Sequence, residues 1–367
     1  MRVILPILLF SMPLLSFAQT SDLFVGTYTS SGKSEGIYVY NFDETHGDFS
    51  LKTKAVGITN PSFLALNSKG DVLYSVNESS QSGVSSFSYS NGELKLLNTL
   101  KSGGSGPCHL VIDKTNQFVF ASNYGGGSLS VFKTNEDGSL KELVQNIQYK
   151  GNGPNKDRQN GSHVHSATFS PDEKFLLVQD LGTDMINVYP FHSKNTKEPL
   201  QISKSITVQT TPGGGPRHIT FSKNGKYVYV VAELTSTVQV YSFNKGNMEI
   251  LQEIEMLPTN VANPVGAADI HLSNDGQFLY TSNRGNTNEI NIYKVDKKTG
   301  TLEDAGRQST LGIAPRNFAL SKSENFLLVG NQNSDEIVIF SRNKSTGQLT
   351  DIGKRIEVGA PVCLLFN

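Results

Sequence analysis

The feature that most constrains this chain is a sequence pattern that recurs about every 50 residues along its length. Each copy has an alternating apolar stretch, then a turn rich in Ser, Asn, Asp and Lys, then a second stretch rich in Val, Leu, Phe and Tyr. A third and a fourth strand follow in each unit, so one period is typical of a four-stranded propeller blade. The copies begin at Pro61, Pro107, Val164, Pro216, Ala267, Pro315 and, in a truncated seventh copy, Pro361.

The two ends of the chain complement each other within this pattern. Residues 23–57 supply the second, third and fourth strands of a unit, whereas residues 361–366 supply only a first strand. Pairing the two would complete a seventh blade and close the ring, which removes the exposed sheet edges of an open array. The sequence therefore predicts an all-β, seven-bladed β-propeller with four antiparallel strands per blade. A β-solenoid would use shorter repeats, and two separate β-sandwiches would not need the last strand to complement the first.

The first eighteen residues are predicted to lie outside this ring. Arg2 precedes an apolar run that ends at Ser16-Phe17-Ala18, where small residues suit a signal peptidase. A membrane anchor is the competing interpretation, but Ser and Pro interrupt the run and it falls short of the roughly 20 residues that a span requires. We expect a signal peptide over residues 1–18, a single propeller domain over residues 19–367, and a periplasmic or secreted protein without membrane attachment after cleavage.

Charge and cysteine content exclude several classes of protein. The formal net charge is −1 and there is no basic block, so the electrostatic footprint of a nucleic-acid binder or a polybasic membrane anchor is absent. Cys108 and Cys363 lie on first strands of blades that have another blade between them. We therefore expect two buried free thiols and no disulfide.

Chemically capable residues accumulate at one end of the predicted hairpins. In an antiparallel hairpin the start of the first strand and the end of the second lie at the same edge, so these positions should converge around the axis. Ends of second strands supply Tyr28, Asn77, Glu78, Asn123, Tyr124, Asp180, Glu233, Asn283, Arg284 and Asn331. Starts of first strands supply His109, His163, His165, Arg217, His218, Asp269 and Arg316. A structural ring of ion pairs between blades, with histidines filling the channel, is the alternative interpretation.

Other chemistries lack their signatures. No Gly-x-Ser-x-Gly elbow occurs, and the glycine-rich turns lack the Lys-Ser/Thr of a phosphate-binding loop. His163, His165 and Asp180 could converge on a metal, but no zinc-type or EF-hand spacing supports one, so we expect neither a metal nor a cofactor. The main insertion, residues 150–162, falls on the same rim and carries Arg158, a candidate anion contact; an ordinary exposed loop is equally compatible.

Several of these motifs resemble one known family. The run from Gly153 through His163-Val-His165-Ser to Asp180-Leu-Gly-Thr-Asp, with Gly215-Pro-Arg-His, Ala232-Glu233 and Ser282-Asn-Arg284, is similar to the seven-bladed propeller lactonases. That family includes propeller-type 6-phosphogluconolactonases and is related to fungal carboxymuconate lactonizing enzyme. The resemblance implies the catalytic residues His165, Glu233, Arg217 and Arg284. It makes their neighbours candidates for substrate binding: His109, Arg158, His163, Asp180, His218, Asn123, Tyr124, Glu78 and Arg316.

The implied activity is hydrolysis of a sugar-acid lactone, either 6-phosphogluconolactone or an unphosphorylated lactone such as glucono-1,5-lactone. His165 or Glu233 would activate water, while Arg217 and Arg284 would hold an anionic group and stabilise the oxyanion. The expected partner is a small-molecule lactone. A non-catalytic propeller that binds a ligand or a protein on this rim remains the second hypothesis. A lactonizing isomerase, which runs the same bond change in reverse, is the third.

Overall fold

Seven four-stranded antiparallel sheets follow one another in a computed structural model that describes residues 19–79, 81–257 and 266–367. The signal peptide predicted for residues 1–18 lies outside the described residues. Blade 1 contains β1 (Thr20–Thr27), β2 (Gly36–Asp43), β3 (Phe49–Val56) and the last strand of the chain, β28 (Pro361–Phe366). Blade 2 contains β4 (Leu64–Leu66), β5 (Val72–Asn77), β6 (Gly83–Ser90) and β7 (Glu93–Lys101). Blade 3 contains β8 (Pro107–Ile112), β9 (Phe118–Asn123), β10 (Ser128–Thr134) and β11 (Leu140–Gln148).

The remaining blades repeat this arrangement. Blade 4 contains β12 (Val164–Phe169), β13 (Phe175–Asp180), β14 (Met185–Pro190) and β15 (Ile206–Gln209). Blade 5 contains β16 (Pro216–Phe221), β17 (Tyr227–Ala232), β18 (Thr237–Asn244) and β19 (Asn247–Glu255). Blade 6 contains β20 (Ala267–Leu272), β21 (Phe278–Asn283), β22 (Glu289–Val295) and β23 (Leu302–Ser309). Blade 7 contains β24 (Pro315–Leu320), β25 (Phe326–Asn331), β26 (Glu336–Arg342) and β27 (Leu349–Glu357).

Helix is confined, within the described residues, to two three-residue 3-10 turns, Thr29–Ser31 and Ile202–Lys204. None of the helices found there is long and apolar enough to cross a membrane. The all-β prediction is therefore confirmed.

The ring closes as the sequence predicts. Strand β28 pairs antiparallel with β1, with Leu23 opposite Phe366 and Val25 opposite Leu364. The first strand of each blade contacts the first strands of both neighbouring blades, from β28 through β4, β8, β12, β16, β20 and β24 back to β28. First strands therefore line the central axis, and the seven-bladed propeller is confirmed.

An apolar core fills each junction between neighbouring blades in the described part of the chain. Each cluster combines second- and third-strand residues of one blade with inner-strand residues of the next. Between blades 7 and 1, for example, Phe42 packs edge-on against Phe326 at 5.6 Å between ring centroids. Burial of both faces of every sheet explains why the second strands are almost continuously apolar rather than alternating.

A β-bulge near the start of most inner strands sets where the rim side chains point. In five blades the pairing with the second strand skips one residue, and the extra residue sits unpaired. The residues skipped are Cys108, His165, Arg217, Arg316 and Val362. A bulge bends its strand and redirects a side chain, so these side chains are aimed differently from those of regular strand residues.

Aromatic and histidine rings fill part of the axial channel below this level. His218 lies 5.4 Å from His109 and 5.2 Å from His165 between ring centroids, and Phe63 stacks 4.1 Å from His109. Both cysteines are buried free thiols, as expected from their blades. The channel is therefore packed beneath one end of the ring, which leaves a cavity above the packed layer.

Candidate active site

A cavity of about 430 Å³ opens on the rim that the sequence predicts. Side chains from blades 1 to 7 and the 150–162 insertion border it, although the strands that carry them are far apart in the chain. The lining residues are Tyr28, Glu78, Cys108, Tyr124, Arg158, His165, Glu233, Gly266, Arg284, Gly285 and Arg316. The predicted convergence of strand ends on one face is therefore present in the structure.

Glu233 is the centre of the ionic network in this cavity. It directly follows β17, where its backbone N–H donates to the Gly215 carbonyl over 2.9 Å. Arg217 donates from Nε to Oε2 over 2.9 Å, and Arg158 donates from an Nη to Oε1 over 2.8 Å. Arg284 brings a further Nη to 3.3 Å from Oε2. One buried carboxylate thus faces three guanidinium groups.

These cations decide the charge state of Glu233. Burial alone would raise the pKa of the carboxyl group, but Arg284, Arg217 and Arg158 together lower it to about 2. Glu233 is therefore a carboxylate at every physiological pH. A carboxylate with so low a pKa holds cations well and is a weak base.

His165 lies beside this network and is neutral. Its side chain is 6% exposed, and its Nε2 lies 3.9 Å from Oε2 of Glu233. Burial and the charge of Arg217 hold the pKa of His165 well below the usual histidine value. Its Nδ1 is buried and has no hydrogen-bond partner. A neutral imidazole has one unprotonated ring nitrogen, and next to a fixed negative charge that nitrogen is able to accept a proton.

Arg217 and Arg284 differ in their access to the cavity. Arg217 is 2% exposed and is absent from the cavity lining, because it lies behind Glu233 and also donates to the Ala268 carbonyl. Burial and the charges of Arg284 and Arg316 lower the pKa of Arg217 to about 10, which leaves it charged at neutral pH. The expectation that Arg217 contacts an anionic substituent thus differs from its place in this structure, where it supports Glu233. Arg284 lines the cavity and is anchored by a 2.9 Å bond from Nε to the Gly266 carbonyl.

The insertion delivers Arg158 across the cavity mouth. Gln159 is fully buried and donates to the Leu181 carbonyl over 2.9 Å and to Asp184 over 2.7 Å. Its backbone N–H also donates to the Asn155 carbonyl, which closes the loop on itself. This anchoring holds the neighbouring Arg158 over Glu233. The insertion is therefore an ordered part of the rim that borders the cavity. This agrees with the interpretation in which it contributes Arg158 to the site, rather than with that of an ordinary exposed loop.

Tyr124 and His163 support Arg158 from the blade 3 side. The two rings stack at 4.5 Å with 17° between their planes, and His163 Nδ1 lies 3.0 Å from the Tyr124 carbonyl. The Tyr124 hydroxyl accepts a 3.2 Å bond from Arg158. Tyr124 lines the cavity, whereas His163 lies behind it.

The structure does not bring five of the substrate-binding candidates to the cavity lining. Asn123 is fully buried and donates to Ser128 and Ser130 within blade 3. Asp180 is a loop anchor that accepts bonds from the backbone N–H groups of His163 and Gly182.

His109 and His218 belong to the channel layer beneath the cavity. Burial lowers the pKa of both rings, in His218 to about 4, although Asp269 accepts a 2.8 Å bond from its Nδ1. Two neutral, packed rings fit the interpretation of channel-filling histidines, and together with His163 they stand outside the lining.

Tyr28 lines the cavity, although the sequence predicts only a position on the rim for it. It directly follows β1, and its hydroxyl donates to Oε2 of Glu78 over 2.9 Å. Arg316 lies over the Tyr28 ring, with 5.3 Å from its guanidinium carbon to the ring centroid. Cys108 also lines the cavity, although the sequence predicts only a buried free thiol for it. The bulge at Cys108 in β8 directs the side chain there, and the sequence pattern does not show that bulge.

Metal-ligand geometry occurs elsewhere. Over residues 19–79, 81–257 and 266–367, the one group of three metal-capable side chains is Asp43, His46 and Asp48, at the turn between β2 and β3 and outside the cavity lining. The combination of His163, His165 and Asp180 that the sequence suggested does not bring its ligand atoms together there.

Comparison with known proteins agrees with this architecture. Residues 22–366 match the family model described as lactonase, 7-bladed beta-propeller. The chain is 37% identical over 316 residues to a 6-phosphogluconolactonase of Formosa agariphila, covering 84% of this chain and 89% of that protein. It is 35% identical over 348 residues to a 6-phosphogluconolactonase of Bacillus subtilis, covering 94% and 97%.

A solved structure gives the same result in three dimensions. The periplasmic gluconolactonase PpgL of Pseudomonas aeruginosa superposes with a TM-score of 0.90 at 34% identity, covering 95% of this chain and 99% of that one. A family match over nearly the whole described chain, relatives above 30% identity and a shared fold together lead to one conclusion. The chain belongs to the seven-bladed β-propeller lactonase family.

Proposed function

We propose that this protein is an exported lactonase that opens a sugar-acid lactone by adding water to its ester carbonyl. The observation that carries the proposal is the pairing of a neutral, buried His165 with a permanently ionised Glu233 in a cavity lined by arginines. Ester hydrolysis needs a proton acceptor, a stabiliser for the oxyanion and a proton donor for the leaving alkoxide. These groups supply all three.

In the proposed reaction His165 is the base. An imidazole nitrogen takes a proton from water while the water oxygen bonds to the lactone carbonyl carbon. The oxyanion forms beside Arg284, whose guanidinium lines the cavity. The imidazolium then returns its proton to the ring oxygen as the C–O bond breaks, and the hydroxy acid product releases a proton to solvent.

Glu233 has a different role in this scheme. Its oxygens already accept bonds from Arg158 and Arg217, which leaves it a poor proton acceptor, and its negative charge 3.9 Å from His165 Nε2 stabilises the imidazolium as it forms. It also orients Arg158 and Arg284 at the mouth of the cavity. The proposal therefore assigns the role of base to His165, a choice that the sequence left open.

The comparisons support the substrate class. The two relatives named 6-phosphogluconolactonase and the structural neighbour named gluconolactonase act on lactones by name. A sugar-acid δ-lactone, phosphorylated or not, is the substrate that these names have in common.

Titration of the acid released during hydrolysis tests the proposal. Base consumption at constant pH is measured with glucono-1,5-lactone and 6-phosphoglucono-1,5-lactone for the wild type, His165→Ala and Glu233→Gln. We expect His165→Ala to lose roughly a hundredfold or more in kcat, since removal of a general base costs 10² to 10⁴. Glu233→Gln should also lower kcat, because the imidazolium would form without the adjacent negative charge. His192→Ala is the matched control, because His192 is exposed and outside the cavity lining.

Two outcomes would contradict the proposal. Folded His165→Ala with full activity would remove His165 from the mechanism. A wild-type rate no higher than spontaneous hydrolysis on every lactone would favour a binding propeller instead.

Export is the second part of the proposal. The apolar run before Ala18 and the periplasmic location of the Pseudomonas aeruginosa neighbour support it. Cell fractionation with N-terminal sequencing is the test. We expect a protein outside the cytoplasm that begins at Gln19, and an uncleaved cytoplasmic chain would contradict export.

A further inference from the structure

Arg316 stands apart from the other arginines of the cavity. It is the bulged residue of β24, so its guanidinium is redirected toward the axis and lines the cavity. Arg158, Arg217 and Arg284 each donate to Glu233 or approach it as an ion pair. Among the described residues Arg316 makes no hydrogen bond or ion pair, and its one close partner is the face of the Tyr28 ring.

An unpaired guanidinium in a partly buried position costs free energy, because the cation is desolvated without compensation. Its five N–H donors have lost part of their water and have gained no acceptor. Burial lowers the pKa of Arg316, but the polar groups of Tyr28 and Glu78 outweigh it and raise the pKa, so the side chain stays charged. The Glu78 carboxylate is already bound by the hydroxyls of Tyr28 and Ser62. The cation therefore has free donors directed into a cavity.

The charge balance of the cavity points to an anionic occupant. Arg158, Arg217, Arg284 and Arg316 are opposed by the carboxylates of Glu233 and Glu78. Glu233 is shared by three of the arginines, and within the described part of the chain Arg316 is the one of the four that has no carboxylate or carbonyl acceptor. A guanidinium group binds phosphate or carboxylate well because its planar set of N–H donors can form two parallel hydrogen bonds with such a group.

Arg316 approaches the cavity from a different part of the ring than the proposed catalytic residues do. His165 and Glu233 belong to blades 4 and 5, whereas Arg316 belongs to blade 7 and Tyr28 to blade 1. The two groups thus approach one cavity from different sides. A lactone whose carbonyl lies at His165 would extend its far end toward Arg316.

We propose that Arg316 is the specificity-determining residue of this site and binds an oxyanion substituent, phosphate or carboxylate, at the end of the lactone remote from its carbonyl. The assignment deepens the proposed function and rests on it for the orientation of the lactone. It makes anionic sugar-acid lactones the preferred substrate class.

Three lactones separate the possibilities in a kinetic experiment. The lactones are 6-phosphoglucono-1,5-lactone, the carboxylate-bearing glucaro-1,4-lactone and the uncharged glucono-1,5-lactone. For Arg316→Gln we expect the ratio of kcat/KM for an anionic lactone to that for the uncharged one to fall roughly ten- to hundredfold, mainly through KM. Arg316→Lys should retain part of the ratio. Arg307→Gln is the matched control, because Arg307 lies outside the cavity lining and 3.9 Å from Glu289.

The lactone whose ratio falls most identifies the oxyanion. A larger fall for the phosphorylated lactone indicates a phosphate site, and a larger fall for the glucarolactone indicates a carboxylate site. An equal fall in kcat/KM on all three lactones would overturn the assignment, because it would mean that Arg316 acts on the reacting group or on the fold.

A binding measurement keeps this test separate from that of the proposed function. Calorimetric titration with inorganic phosphate at low ionic strength should give binding to the wild type and to Arg307→Gln, and at least tenfold weaker binding to Arg316→Gln. Equal affinity of all three proteins, or none in the wild type, would overturn the oxyanion site even if lactones are hydrolysed. Phosphate binding that depends on Arg316 in a protein without lactonase activity would retain the site and refute the function.

Discussion

Replacement of Glu233 by glutamine tests the electrostatic account of the cavity most directly. Glutamine preserves the shape of the side chain but removes the negative charge that faces three guanidinium groups. Arg217, 2% exposed, would then be a buried cation that has lost the carboxylate it contacts. Removing one partner of a buried ion pair typically costs 3 to 5 kcal/mol, so Glu233→Gln should lower the free energy of unfolding by about 3 kcal/mol or more.

The pKa of Glu233 gives a second estimate of the same quantity. The carboxyl titrates near its ordinary 4.5 in the unfolded chain and at about 2 in the folded protein. At 1.36 kcal/mol per pKa unit, this difference stabilises the folded state by about 3 kcal/mol at neutral pH. Because the folded pKa is the lower one, the stabilisation is complete above pH 4.5 and is lost as the pH falls toward 2. About 1 kcal/mol should remain at pH 3.

Urea unfolding of wild type and Glu233→Gln at pH 7 and pH 3 measures both numbers. The gap in unfolding free energy should shrink from about 3 to about 1 kcal/mol as the pH falls. Glu289→Gln is the control, since burial raises the pKa of Glu289 and its nearest cation, Arg307, is 3.9 Å away. That substitution should leave stability unchanged or slightly higher. A Glu233 gap below 1 kcal/mol at pH 7, or one equal at both pH values, would refute the reasoning.

Three further predictions concern other parts of the ring. Burial lowers the pKa of His271, but the charge of Asp269 outweighs burial and raises the pKa above 6.5. The ion pair with Asp269 therefore stabilises the fold fully below that value, and this stabilisation is lost as the pH rises through the folded pKa. Urea unfolding should give a larger difference in unfolding free energy between wild type and His271→Asn at acidic than at alkaline pH, and equal differences would contradict the prediction. A Cβ on Gly182 would lie 1.9 Å from the carbonyl oxygen of Gly161, in the insertion that carries Arg158. Gly182→Ala should therefore displace the insertion and reduce kcat/KM roughly tenfold or more. A Cβ on Gly161 would have nothing within 4 Å, so Gly161→Ala should match wild type. Burial raises the pKa of both cysteine thiols, so Ellman's reagent should label neither in the native protein and both in urea; rapid native labelling would contradict their burial.

The ring and the location of its site could be predicted from the sequence because both follow from periodicity. One repeat fixes the blade, and the mismatch between the chain ends fixes the pairing of β28 with β1. The convergence of strand ends on one rim follows from hairpin geometry alone.

The orientation of individual side chains could not be predicted in the same way. Consecutive residues of a regular strand point to opposite faces, but the bulges interrupt that alternation. Arg217 is directed behind Glu233 while its neighbour His218 enters the channel layer. The sequence also does not indicate that Glu233 pairs with three arginines while Arg316 contacts no carboxylate. These pairings depend on distances between residues of different blades.

The closure of blade 1 by the last strand has a consequence for the order of folding. Strand β1 is the first of the described strands along the chain, and its partner β28 is the last of them. Until residues 361–366 exist, the edge of β1 from Leu23 to Thr27 has no neighbour and is open to pairing with other chains. Closing a loop of this length costs a free chain about 5 kcal/mol of entropy, against about 1 kcal/mol for a short hairpin.

That cost falls only when the intervening blades have already stacked and hold the two ends close together. Pairing of β28 with β1 is therefore a late step in folding. Chains that lack residues 361–366 would keep the unpaired edge of β1 and should aggregate rather than fold.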